Sequence, residues 1–258
     1  MKSRMKKWVL ALALLAITAG FAQLVLPRLA SHLRDAPPGA APLKPEPERY
    51  GVMRADLEHL RSQLADEFAT ASDIEKIRIR DDSRVVLQTV LPELMRCWLG
   101  TPWDFNGISE TPGEGKIACG YFVSTVLRDA GFKVPRIKLA QQPSQLILHT
   151  FATGRSTRHV GMSYEAFVEE LATHPPGIFI VGLDSHVAFI INTPDEADSP
   201  FRFIHSSGAW PERCVVDESP SEASVLASSN YRIFGDILAN DKTIDNWLTK
   251  TPFLIAQR

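Results

Sequence analysis

"GKIACGYFVSTVLRDAGF", Gly115 to Phe132, is the stretch on which the fold turns. Cys119, Phe122, Val123, Val126, Leu127 and Ala130 recur at helical spacing and define one apolar face. Ser124, Arg128 and Asp129 fall on other faces. Gly131 stands where a helix stops, because glycine takes the left-handed conformation without a Cβ clash. The spacing predicts a helix with Cys119 in its first turn, where free N–H groups and the positive end of the dipole gather. Both favour a thiolate and lower a cysteine pKa from its ordinary value of about 8.5. A cysteine on an apolar face is equally suited to simple burial. The stretch alone leaves Cys119 open between nucleophile and core residue.

The segments around this helix divide the chain. "MKSRMKK" followed by the apolar run Trp8 to Leu26 has the form of an export signal. Gly20 and Ala22 offer a cleavage site before Gln23. The run also approaches the roughly 20 apolar residues that span a bilayer, so residues 8–26 read equally as an anchor. The basic residues precede the run, which places the remainder outside the cytoplasm. Residues 27–48, rich in proline and alanine, read as a linker. A helix is expected from Val52 to Ala71 on the spacing of Val52, Leu57, Leu60 and Leu64, within an accessory helical segment at 49–83. A lid over a site is one role for that segment. A second helix, Arg84 to Leu99, contains Pro92 and is expected to kink or break there. It opens a domain at 84–258.

Beyond Gly131 a short helix is expected in the irregular stretch from Lys133, and Ser163 is the expected N-cap of the next one. The texture then becomes β-rich: Gly177–Leu183, His186–Asn192, Phe201–Ser207, Cys214–Glu218 and Tyr231–Leu238. Helices first and antiparallel strands second make an α+β fold. The net charge of −2 gives no electrostatic case for a nucleic-acid partner. The three cysteines have no zinc spacing and no HExxH is present, so no metal is expected. In an oxidising compartment two cysteines can pair, and elimination of Cys119 leaves Cys97 with Cys214.

Two of the seven histidines stand apart. If His186–Asn192 and Phe201–Ser207 form a hairpin centred near Glu196, Ala188 lies opposite His205. His186 is then its diagonal neighbour, roughly 7–8 Å away and within side-chain reach. A cysteine at a helix N-terminus, a histidine base and a second group orienting that base are the parts of a cysteine hydrolase. His32, His59, His149, His159 and His174 read as solvated or half-buried residues.

These residues also carry a resemblance. "LGTPWDFNG", "IACGYFVSTVLRDAGFKVPRIKLAQ", "PPGIFIVGLDSHVAFIIN" and "FRFIHSSG", between Leu99 and Gly208, resemble the NlpC/P60 family of papain-like cell-wall peptidases. That family shows "DCSGFV", "LPR", "HVGIY" and a strand ending in "IH" in the same order. The resemblance implies a papain-like α+β domain with the nucleophile helix packed on an antiparallel sheet. It implies Cys119 as nucleophile, His186 as base and His205 as orienting residue, with no cofactor. It implies peptidoglycan stem peptides, or another amide, as substrate for an exported bacterial envelope protein, periplasmic or extracellular.

The chain departs from the family at several positions. The Asp before the cysteine is Ala118 and the Ser after it is Gly120, which opens room for a substrate backbone. Trp103 stands where the family often has an oxyanion-site tyrosine. The oxyanion hole then rests on the Cys119 N–H and one further donor. Tyr121 and Arg136 flank the expected cleft and suit a substrate carboxylate. The segment from Gln141 to Pro176 is long and is expected to build a specificity wall. Two other readings keep the fold: a non-catalytic module that binds cell-wall peptide or a protein partner, and a thiol acyltransferase.

Overall fold

A computed structural model describes residues 44–152, 154–194 and 199–257. Residues 1–43 lie outside that range, and with them the export signal or anchor and the linker up to residue 43. None of the helices among the described residues is long and apolar enough to cross a membrane.

The chain opens with two long antiparallel-packed helices, α1 (Pro47–Thr70) and α2 (Asp73–Arg96). Core-facing residues of α1 are Tyr50, Met53, Leu57, Leu60 and Leu64, whereas Val52 is half exposed. α2 starts well before Arg84, behind a capping box. The Ser72 hydroxyl accepts from the Glu75 N–H, and the Glu75 carboxylate accepts from the Ser72 N–H at 2.8 Å. Pro92 lies inside α2, which continues through it as one helix to Arg96. The expected boundary between 83 and 84 therefore falls in the middle of a helix, and all described residues belong to one compact unit.

α3 (Cys119–Asp129) follows the expected stripe, with Phe122, Val123, Val126 and Leu127 fully buried. Gly131 ends it at φ +94°. Short helices α4 (Arg136–Ala140) and α5 (Ser144–His149) come next, then strand β1 (Thr157–Val160) and helix α6 (Tyr164–Leu171). Ser163 caps α6, its hydroxyl accepting from the Ala166 N–H. β2 (Gly177–Leu183), β3 (Val187–Asn192), β4 (Phe201–Ser206), β5 (Val215–Glu218), α7 (Ser224–Ser228), β6 (Tyr231–Asp236) and α8 (Asp241–Leu248) complete the chain.

The six strands form one antiparallel sheet in the order β1-β6-β2-β3-β4-β5. The fold is α+β, with eight helices among the described residues. α3 packs on β3 and β4, with Phe122 edge-on to Phe189 at 6.0 Å. The side chains of opposite parity, among them Ala188, Ile190 and Phe203, pack with Phe167 and Leu171 of α6 and Leu226 of α7. The long segment after Gln141 supplies α5, β1 and α6; most of it builds sheet and core, while its first residues, among them Gln142, Ser144 and Ile147, line a smaller cleft with Cys119 and His186. All three cysteines are free thiols; the Cys97–Cys214 pair is not formed.

Candidate active site

The β3–β4 register pairs Phe189 with Ile204, which sets Ala188 opposite His205, as the hairpin arithmetic required. Residues 195–198 of the connecting loop lie outside the described range. His186 directly precedes β3 and is the diagonal neighbour of His205. The two rings meet edge to face, with His186 Nε2 2.8 Å from His205 Nδ1. β5 repeats the stagger. Glu218 pairs with Phe203, so it is the diagonal neighbour of His205 on the other side. Its Oε2 lies 3.1 Å from His205 Nε2. Three adjacent strands thus present His186, His205 and Glu218 as one hydrogen-bonded row. Glu218 was not anticipated. It ends "CVVDE" with no local feature to mark it, and only the pairing of β4 with β5 brings it to His205.

Cys119 begins α3 on the other side of the same strand end. Ala118 provides no side-chain cap, so the first N–H groups of the helix are not taken by its side chain. The backbone N–H groups of Val187, Gly120 and Cys119 lie near the thiol and act to lower its pKa. The Val187 contact ties it to the residue adjoining His186. Burial outweighs these donors and pushes the Cys119 thiol above its ordinary pKa. This corrects the expectation of a preformed thiolate: helix position lowers the value, but desolvation wins. Burial, and for His186 also its neighbour His205, pushes both histidines down to about 3, so both are neutral at physiological pH.

Cys119 and His186 line one cleft of about 660 Å³, together with Trp103, Phe105, Tyr121 and Gln142 among others. Its size is ordinary for a small-molecule or peptide site. None of the described residues lining it carries a formal charge. Trp103 packs against Gly208 and lies under the Arg213 guanidinium at 5.0 Å. The Tyr121 hydroxyl accepts from Gln141 Nε2 at 3.2 Å.

Two expected roles change. Gly120 lines the cleft, but a Cβ there would collide with the Ala140 carbonyl. The missing side chain admits the end of α4, not a substrate backbone. Arg136 is buried and is not among the cleft-lining residues. It donates to Thr125 Oγ1 at 2.7 Å and to the carbonyls of Ile108 and Ser109 at 2.8 and 2.7 Å. It therefore fastens the loop that carries Phe105 and Ile108 onto the cleft rim, which leaves little of it for a substrate carboxylate. α1 is also absent from the lining, which removes the lid role.

No family model, no curated protein and no solved structure matches the chain. The site must be judged on its own chemistry. Among the described residues no group of three or more His, Cys, Asp or Glu side chains is arranged to hold a metal ion. The cleft is lined by a neutral thiol at a helix N-terminus and by a neutral imidazole that is itself hydrogen-bonded to a second imidazole. That set can move a proton off sulfur and attack a carbonyl carbon.

Proposed function

We propose that the protein is a cysteine hydrolase of papain-like NlpC/P60 type, with Cys119 as nucleophile, His186 as general base and His205 as the residue that orients it. The observation that carries this reading is the 2.8 Å bond between His186 Nε2 and His205 Nδ1, with His186 and Cys119 lining the same cleft. It engages one imidazole nitrogen and leaves Nδ1 as the free one.

The thiol gives its proton to His186 Nδ1 as sulfur attacks the carbonyl carbon. The oxyanion receives N–H groups from the first turn of α3. The imidazolium then protonates the leaving amine, and water, activated by the same histidine, hydrolyses the thioester. Because the resting thiol is neutral, the base takes its proton during attack rather than beforehand.

The substrate class follows from export and from the lining. A basic and then apolar N-terminus supports action in the bacterial envelope, on peptide or amide bonds of peptidoglycan stems. The uncharged lining of the larger cleft favours an uncharged segment there, such as an amidated stem, while the smaller cleft that Cys119 and His186 also line adds Asp184. Incubation with amidated and free-acid stem peptides, followed by mass spectrometry, tests both points. Cleavage of the amidated form, lost in Cys119→Ala, is expected. No cleavage, with Cys119 no more reactive than Cys97 or Cys214, would assign the fold to peptide binding. An added amine that captures the acyl group in place of water would assign it to acyl transfer.

A further inference from the structure

We propose that Glu218 is a positioning residue whose carboxylate sets the tautomers of both histidines, so that its protonation takes the His186 base out of service. The catalytic consequence rests on the cysteine-hydrolase reading; the tautomer relay does not. The contacts that carry it are His186 Nε2 to His205 Nδ1 at 2.8 Å and His205 Nε2 to Glu218 Oε2 at 3.1 Å.

A neutral imidazole has one N–H and one lone pair, so each contact in the row dictates the next. An ionised Glu218 only accepts. His205 then carries its proton on Nε2 and offers the Nδ1 lone pair. His186 must donate from Nε2, which leaves the Nδ1 lone pair for the Cys119 proton. A protonated Glu218 donates instead. His205 Nε2 accepts, His205 Nδ1–H donates, His186 Nε2 accepts, and His186 Nδ1 carries a hydrogen. One proton gained at Glu218 shifts both tautomers, and neither ring becomes charged. His205 is fully buried, which favours a neutral ring and so keeps the row intact.

The surroundings of Glu218 put this change near neutrality. Burial is the first cause that pushes its pKa up to about 7, followed by the nearby charges of Glu212 and Glu222. Arg202 on β4 acts in the opposite sense, and Asp217 beside it on β5 acts weakly upward. Asp217 is itself held by Arg202 at 2.7 Å and Arg96 at 2.9 Å, which limits what either offers Glu218. From α6, Tyr164 contributes a phenol that stays neutral, its pKa pushed up to about 12.

The test reads the imidazole nitrogens by ¹⁵N NMR across the range from acid to mildly alkaline pH. Alongside it runs the rate of Cys119 alkylation, expressed as the ratio of wild type to His186→Ala. The ratio removes the ionisation of the thiol itself. In wild type, His186 Nδ1 should change from protonated to bare through a midpoint near 7, the value to which Glu218 is raised. The ratio should rise by at least about tenfold over the same interval, within the usual range for a general base. Glu218→Gln, which cannot ionise, should abolish the transition in both readouts. Glu218→Asp should retain it at a shifted midpoint. A His186 tautomer that is constant with pH in wild type, or a transition that survives in Glu218→Gln, would overturn the relay. A tautomer transition in a protein that cleaves no amide would keep the relay and remove the hydrolase reading.

Discussion

At the scale of the residue, Cys119 is a thiol held neutral by burial and approached by three backbone N–H groups. On the hydrolase reading, its reactivity comes from His186. Replacing His186 with Ala should slow turnover about 10²–10⁴-fold, the usual contribution of a general base, with little change in KM. Steady-state kinetics on a cleaved stem peptide measures it. The placement of Cys119, His186 and His205 was legible in the sequence because each rests on local arithmetic: a helical stripe, and a hairpin whose centre fixes the register. Glu218 was not legible, because its place depends on the β4–β5 pairing across an irregular connection from Ser207 to Cys214. Arg136 shows the opposite error. An arginine near a cleft invites an anion, but burial sends its donors to the backbone of the neighbouring rim loop at Ile108 and Ser109.

At the scale of the element, the junction of α3 with α4 is tight. Gly120→Ala would drive a methyl group into the Ala140 carbonyl and should cost about 1–3 kcal/mol, the usual range for overpacking. A denaturant melt reads it. Arg136→Ala frees the rim loop at Ile108–Ser109, so KM should rise more than kcat falls. The start of α2 escaped the pattern reading because its first turns hold little core. Ile74 and Ile77 are exposed, and the capping box alone announces the helix. β1, a four-residue edge strand, and the eight-residue α8 were missed for a different reason: short elements carry too few periods to stand out.

At the scale of the whole molecule, α1 and α2 are part of the core. Tyr50 donates to Asp129 of α3 at 2.9 Å, Arg61 to the Leu248 carbonyl at 2.7 Å, and Arg80 grips Asp245 of α8 at 2.7 and 2.9 Å. Burial of a large apolar side chain contributes about 1.5–3 kcal/mol, and α1 buries several. Deleting residues 47–70 should therefore unfold the protein rather than activate it, as loss of the cooperative melt would record. Stability should also depend on pH. Burial raises Glu218 to about 7 and Asp236 to about 6. A carboxyl with a raised folded pKa binds its proton more tightly folded than unfolded. Its stabilising contribution is full below the ordinary carboxylate pKa and is lost as pH rises through the folded value. Tm should thus fall from pH 5 to pH 8 through these two groups, and fall less in Glu218→Gln. An equal fall in that variant would remove Glu218 from the account.

The central claim is that Cys119 is a nucleophile served by His186. Its most direct test is site-resolved alkylation at neutral pH, with Cys97 and Cys214 as references in the same molecule. The account predicts that Cys119 reacts at least about tenfold faster than either, and that His186→Ala removes the advantage. A Cys119 as slow as its two neighbours in both proteins would contradict it, and would make this cysteine a packed residue at the head of a core helix.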